Sequence, residues 1–86
     1  MMCEFSRQLP GPAMETIARA RRPITESGGS LDGDDRRGSI TIPTPVGEIA
    51  GEYLVTGSTI AFRITQKPFF VPCAAIEARV DRFLFG

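Results

Sequence analysis

The amino-acid sequence predicts a small two-layer α+β domain, in which a three-stranded antiparallel β-meander packs on one C-terminal α-helix (β-β-β-α) after a disordered N-terminal tail. Three observations lead to this fold class. Apolar and polar residues alternate over residues 39–66, an apolar stripe with helical spacing follows over residues 72–85, and residues 1–37 are rich in turn-forming residues. The apolar faces of the sheet and the helix have similar lengths, so each is predicted to cover the other.

The composition limits the chain to one core and removes common catalytic machinery. The chain has 86 residues, with 10 Lys and Arg, 10 Asp and Glu, no His and 2 Cys. A chain of this length holds a single small domain. Without His there is no Ser-His-Asp or Cys-His pair and no His-ligated metal. We therefore predict no metal site and no cofactor, and we favour a non-enzymatic protein over an enzyme.

No segment has the composition of a targeting or membrane-spanning sequence. The start of the chain lacks the apolar run of a signal peptide, and no stretch approaches the ~20 apolar residues of a membrane span. These features predict a cytoplasmic protein that has no membrane partner. Cys3 and Cys73 form no C-x-x-C motif, and a disulfide between them is left open because Cys3 lies in the predicted tail.

Residues 1–37 form the predicted tail, and residues 38–86 form the predicted domain. Within the tail, residues 1–12 and 23–37 carry the prolines, glycines and mixed charges that are typical of disordered segments. Residues 13–22 contain good helix formers, but this segment is shorter than the ~12 to 15 residues that an isolated helix needs in water. We expect a nascent helix there, which becomes stable only if it docks on another surface.

The hairpin between the second and third predicted strands has a defined register. Gly57 and Ser58 fit a two-residue type II′ loop, which places Thr56 opposite Thr59. One of the resulting pairs joins opposite charges, which supports this register. The three strands are predicted over residues 39–43, 49–56 and 59–66. The pairs are Val55 with Ile60, Tyr53 with Phe62, Gly51 with Ile64, Leu54 with Ala61, Glu52 with Arg63, and Ala50 with Thr65.

The loop between the first two strands has competing lengths. Pro45 cannot adopt the positive φ of a primed two-residue turn, so a longer loop is expected. A three-residue loop turns Ile40 and Ile42 away from the core face of the sheet. A four-residue loop that starts at Pro45 pairs Thr44 with Ile49 and turns both isoleucines toward the core. We favour the four-residue loop, since each buried Ile contributes roughly 1.5 to 3 kcal/mol.

The C-terminal helix is predicted over residues 72–85, with Pro72 at its first position, where the missing N–H is tolerated. Charged residues are predicted on its solvent side: Glu77, Asp81 and Arg82. Its apolar stripe is predicted to contain Cys73, Ile76, Val80, Phe83 and Leu84.

Cys73 is the single candidate for a catalytic residue. It stands in the first turn of the predicted helix, where free N–H groups and the helix dipole stabilise a thiolate. The same residue belongs to the apolar stripe, and we favour a buried, inert cysteine because free cysteines are commonly buried. A thiol-based enzyme or redox sensor that uses Cys73 is the alternative function.

A binding surface is predicted from four residues: Phe69, Phe70, Lys67 and Tyr53. The two phenylalanines lie in a short segment between prolines, where an extended backbone turns one ring to the core and the other outward. We favour rings that cap the ends of the small core. An exposed ring next to Tyr53 or Phe85 would instead mark a contact patch.

The partner of this surface is predicted to be another protein or a second copy of the chain. A sheet of three strands with one helix leaves two open edges, and residues 59–66 are the edge expected to self-associate. Nucleic acid is disfavoured, because carboxylates balance the arginines of the tail and Arg63 is the one cation on the outer sheet face. The sequence therefore predicts a small non-enzymatic protein-interaction domain.

Overall fold

A computed structural model describes residues 3–85 and shows an α+β domain with a five-stranded antiparallel sheet and two helices. The prediction of three strands and one helix behind a disordered tail is therefore wrong. The strand order in the sheet is β1-β5-β4-β3-β2. In chain order the elements are β1 (Cys3–Gln8), α1 (Ala13–Glu26), β2 (Ser30–Gly33), β3 (Arg37–Thr44), β4 (Gly47–Thr56), β5 (Thr59–Gln66) and α2 (Cys73–Phe85).

The N-terminal segment supplies both edge strands of the sheet. β1 pairs with β5, from Cys3 opposite Ile64 to Gln8 opposite Thr59, and β2 pairs with β3. In β1 the inward positions alternate with exposed polar residues, which is the pattern of a half-buried strand. Arg7 occupies one inward position, so the hydrophobic alternation is broken in the sequence, and this hides the strand.

Helix α1 is longer than the predicted nascent helix, because it continues through Pro23 to Glu26. A proline inside a helix removes one backbone hydrogen bond and is normally a breaker. Here Pro23 lies in the last turn, and its carbonyl accepts a hydrogen bond from the N–H of Ser27. The helix docks on the sheet with four buried residues, Thr16, Ile17, Ala20 and Ile24, and this packing supplies the stability that the isolated segment lacks.

The hairpin between β4 and β5 has the predicted two-residue loop. Thr56 pairs with Thr59, and Glu52 pairs with Arg63. Gly57 has a φ of 62° and Ser58 does not have a positive φ, as a type II′ turn requires. The one departure lies at the far end of the hairpin, where a bulge pairs Ala50 with Gln66 instead of Thr65.

The hairpin between β3 and β4 corrects the predicted four-residue loop. Thr44 pairs with Gly47, so the loop has two residues and Ile42 lies opposite Ile49. Pro45 keeps a negative φ, and Gly47 takes the positive value of 142°. The Thr44 hydroxyl donates to the Gly47 carbonyl and accepts from the Val46 N–H, which closes the turn without a primed conformation.

Both helices pack on one face of the sheet, and the inward residues of the strands form a single core with them. β3, the first strand of the predicted domain, turns Ile40 and Ile42 to this face as predicted. The observed pairing of β3 with β4 differs from the predicted pairing by two residues, and a shift of two leaves the same side chains on the core face. The predicted stripe of α2 is also confirmed: Ile76, Val80 and Leu84 are buried, and Cys73 and Phe83 pack at its margin.

Strand β5 lies in the interior of the sheet and not at an edge. Its backbone is paired with β4 on one side and with β1 on the other. The prediction that residues 59–66 form a free edge for self-association is therefore wrong, because β1 pairs with that edge of β5.

Candidate functional site

The segment from Lys67 to Val71, which we call the aromatic loop, carries two exposed phenylalanines, and one of them is the most exposed large apolar side chain within residues 3–85. Phe69 is 91% exposed and Phe70 is 59% exposed. The two rings contact each other edge to face, with centroids 5.3 Å apart and planes at 86°. The expectation that these rings cap the core is therefore not met.

The Lys67 side chain holds the aromatic loop in shape. Its Nζ donates to the carbonyl of Val71 at 2.9 Å and lies 3.4 Å and 3.5 Å from the carbonyls of Pro68 and Phe69. The N–H of Val71 donates to the Pro68 carbonyl at 3.0 Å, which closes a turn around the two rings. The ammonium is thus engaged with the backbone of the loop, and the two rings remain exposed.

The β3–β4 hairpin loop lies against the aromatic loop. A Cβ atom on Gly47 would come within 2.9 Å of the Pro68 ring, so the hairpin backbone at Gly47 lies close to that ring. Val46, which is 54% exposed, is thereby placed at the same end of the molecule as the two phenylalanines. Together these residues concentrate exposed apolar area at one end of the sheet.

Tyr53, the fourth predicted binding residue, lies apart from the aromatic loop. It is 3% exposed and stands six positions along β4 from Gly47, which corresponds to roughly 20 Å. Its hydroxyl donates to the carbonyl of Asp34 at 2.6 Å. Burial, and then the nearby Asp34 carboxylate, raise the pKa of Tyr53. These contacts give the tyrosine a structural task at the β2–β3 turn.

The same turn is closed by the Asp34 side chain. Its Oδ1 accepts from the backbone N–H groups of Arg36 and Arg37, at 2.9 Å and 3.0 Å. These two hydrogen bonds lower the pKa of the Asp34 carboxyl, since they favour its charged form. Asp34 is therefore a turn residue.

Cys73, the candidate for thiol chemistry, is bonded to Cys3. The disulfide joins residues 70 positions apart, with the two Cα atoms 5.6 Å from each other, and it ties β1 to the start of α2. The Cys3 side is buried, at 2% exposure. In this oxidised form Cys73 has no thiol to act as a nucleophile. From the sequence, the disulfide between Cys3 and Cys73 could not be decided, because residues 1–12 were predicted to be disordered.

A second connection between β1 and α2 is formed by Arg7. Its Nη2 lies 2.7 Å from Glu77, and its Nε lies 3.1 Å and 3.3 Å from the two oxygens of Asp81. Hydrogen bonds to Glu77 and then to Asp81 raise the pKa of Arg7. Both carboxylates, which were predicted on the solvent side of the helix, thus hold the edge strand β1.

The face of the sheet opposite the helices, which we call the open face, is a shallow concavity of about 1030 Å³. Its exposed lining residues on β1, β5 and β4 are Glu4, Ser6, Ala61, Arg63, Glu52 and Leu54, and the surface continues over β3 and β2 with Arg37, Ser39 and Asp32. Leu54 is 53% exposed although its strand is the middle one of the sheet. A leucine among the polar positions of the second predicted strand was the sequence signal for this surface.

Residues 3–85 contain neither a cluster of metal-ligand side chains nor a membrane-spanning helix. Within residues 3–85, no group of three or more Cys, Asp or Glu side chains is arranged to hold a metal ion. Neither of the two helices in this range is long and apolar enough to cross a membrane. The fold and these surfaces define a small α+β domain with an exposed aromatic loop. No protein-family model, no curated protein and no solved structure matches the chain.

Proposed function

We propose that the chain is a non-enzymatic protein-interaction domain that inserts Phe69 and Phe70 into an apolar pocket of a partner protein. The observation that carries this proposal is the exposure of the Phe69 ring, 91%, in a loop that its own lysine holds in place. Adjacent aromatic residues that are exposed on a structured loop are typical of contact sites, because aromatic side chains dominate the energetics of protein interfaces.

The free energy gained by burying this loop offsets part of the cost of association. Complete burial of a Phe side chain contributes roughly 1.5 to 3 kcal/mol; Phe69 is 91% exposed and Phe70 is 59% exposed, so burying the remaining area of both rings supplies about 2 to 4.5 kcal/mol. Because Lys67 already restrains the loop through three backbone carbonyls, little conformational entropy remains to be lost on binding. The partner is therefore expected to present a preformed apolar pocket wide enough for two rings.

Site-specific photo-crosslinking in cells of the source organism tests this proposal. A photoreactive phenylalanine analogue replaces Phe69 in one version of the chain and Met14 in a control version. Met14, at the start of α1, is 66% exposed and apolar, so it controls for non-specific hydrophobic contacts. We expect one discrete crosslinked species from position 69 that position 14 does not give. Identical products from both positions, or crosslinks to lipid alone, would contradict the proposal.

A redox sensor is the second candidate, and the disulfide between Cys3 and Cys73 favours it. In this hypothesis the protein works in the cytoplasm, where disulfides are normally kept reduced, and the bond forms only under oxidising conditions. The switch would release or fix β1 against α2. Rapid quenching of cells with acid, followed by alkylation with a heavy maleimide, measures the free thiols. A shift from two free thiols to none on oxidant treatment supports the sensor, whereas a permanent disulfide contradicts both the sensor and the cytoplasmic location.

A further inference from the structure

The open face is the largest surface of the sheet that no part of residues 3–85 covers. Five strands at a spacing of about 4.8 Å and about six residues at 3.3 Å each give a face of roughly 480 Å² in projection. When four of the five strands of each copy overlap, two such faces bury roughly 760 Å² before the relief of the side chains is counted, which is the size of a weak interface. The surface is thus wide enough for one protein contact.

The side chains of the open face are arranged in cross-strand rows. One row places Arg63 of β5 between Glu4 of β1 and Glu52 of β4. The next row places Ala61 beside Leu54. Each row therefore holds a complementary pair on the two neighbouring strands β5 and β4: a cation beside an anion in one row, and a small side chain beside a large one in the other.

This arrangement is self-complementary under a two-fold axis that runs parallel to the strands between β4 and β5. Such an axis turns a second sheet face to face with the first and superposes each β5 residue on the paired β4 residue of the other copy. Arg63 of one copy then faces Glu52 of the other, and Leu54 faces Ala61. Both contacts occur twice, so a row of two charge pairs lies beside a row of two large-to-small apolar contacts. We propose that a second copy of this chain covers the open face in this way.

Other ways of covering the sheet fit the side chains less well. Nucleic acid would meet three acidic residues, Glu4, Glu52 and Asp32, against two arginines, Arg37 and Arg63, and within residues 3–85 this face carries no exposed aromatic ring for base stacking. Addition of a strand at the β2 edge is opposed by Arg21, whose guanidinium donates to the carbonyls of Leu31 and Gly33 at that edge. A second copy of the face itself satisfies both the charge and the size pattern.

Sedimentation equilibrium from the micromolar range to about 0.5 mM tests the dimer. We expect the wild-type mass to rise from one chain to two, and the Leu54→Arg variant to keep the mass of one chain with an unchanged circular-dichroism spectrum. Met14→Arg is the matched control on α1 and should dimerise like the wild type. Phe69→Ser/Phe70→Ser should also dimerise, which separates this interface from the aromatic loop. A single-chain mass for the wild type at 0.5 mM, or equal behaviour of the two arginine variants, would overturn the proposal.

A mixing experiment tests the charge pairing between copies. Arg63→Glu alone and Glu52→Arg alone each place like charges across the two-fold axis, so each variant should dissociate. When they are mixed, both intermolecular pairs become attractive, and a mixed dimer should form that neither variant forms by itself. Absence of the mixed dimer, while both variants remain folded, would overturn the proposed register of the interface.

Discussion

Reduction of the disulfide between Cys3 and Cys73 is expected to remove a large part of the stability of this domain. The bond closes a loop between residues 70 positions apart, and it restricts the unfolded chain more strongly than the folded one. The chain-entropy relation gives a loss of roughly 15 cal/mol/K for a loop of this length, or about 4 kcal/mol at 25 °C. An 86-residue domain has a total unfolding free energy of about 4 to 13 kcal/mol. The reduced protein should therefore be marginally stable.

The assay is urea unfolding at 25 °C, followed by circular dichroism, with and without a strong reductant. We expect the unfolding free energy to fall by about 4 kcal/mol on reduction, and the slope against urea to increase because the reduced unfolded chain is less compact. Cys3→Ala/Cys73→Ala should behave like the reduced wild type and should not respond to the reductant. A change below 1 kcal/mol on reduction would refute the reasoning, since it would mean that the bond does not constrain the unfolded chain.

Three further predictions concern single side chains. Arg7→Met should lower the urea midpoint by removing the link between β1 and α2, and the difference from wild type should shrink in 1 M salt, which screens the ion pairs. Tyr53→Phe should cost about 1 kcal/mol at pH 7, because the hydrogen bond to Asp34 is lost. Since burial raises the pKa of Tyr53 above its ordinary value of 10.0, the wild type should also lose stability as the pH rises from 10 through the raised pKa, and the variant should lack this loss in urea unfolding between pH 8 and 11. Gly38→Ala should destabilise by about 1 to 3 kcal/mol, because the added Cβ would lie 2.6 Å from the Tyr53 ring; unchanged thermal unfolding would contradict this packing.

The elements that the sequence predicts correctly are those whose signals are local. Gly57 and Ser58 define a turn type, and the turn sets the register of β4 against β5 over most of its length. The apolar stripe of α2 is long and regular, so its buried residues follow from helical spacing alone. In both cases residues close in sequence determine the result, and no distant contact changes it.

The elements that the sequence does not predict depend on contacts between distant residues, or contain a proline that the surrounding structure accommodates. β1 is stable because Cys3 and Arg7 are held by α2 from the other end of the chain. Helix α1 continues past Pro23 because the next residue, Ile24, is buried in the core. The β3–β4 turn accepts Pro45 because the Thr44 hydroxyl and a positive-φ Gly47 close it.

The four predicted binding residues fall into two groups, one in a single loop and one in the core. Phe69, Phe70 and Lys67 are sequence neighbours, and the structure brings them together in one loop. Tyr53 belongs to the core, because its strand position alternates inward and its hydroxyl finds a backbone carbonyl. Whether an aromatic side chain in a strand faces the surface or the core can therefore be decided only when the register of that strand is known.

Competition by unlabelled protein in the crosslinking experiment at position 69 tests the interaction domain most directly. Wild-type protein in excess should abolish the crosslinked species, whereas Phe69→Ser/Phe70→Ser in equal excess should leave it intact. The double variant should unfold within about 0.5 kcal/mol of the wild type, since both rings are exposed in the folded protein. Equal competition by the two proteins would show that the aromatic loop does not bind the partner, and it would contradict the proposed function.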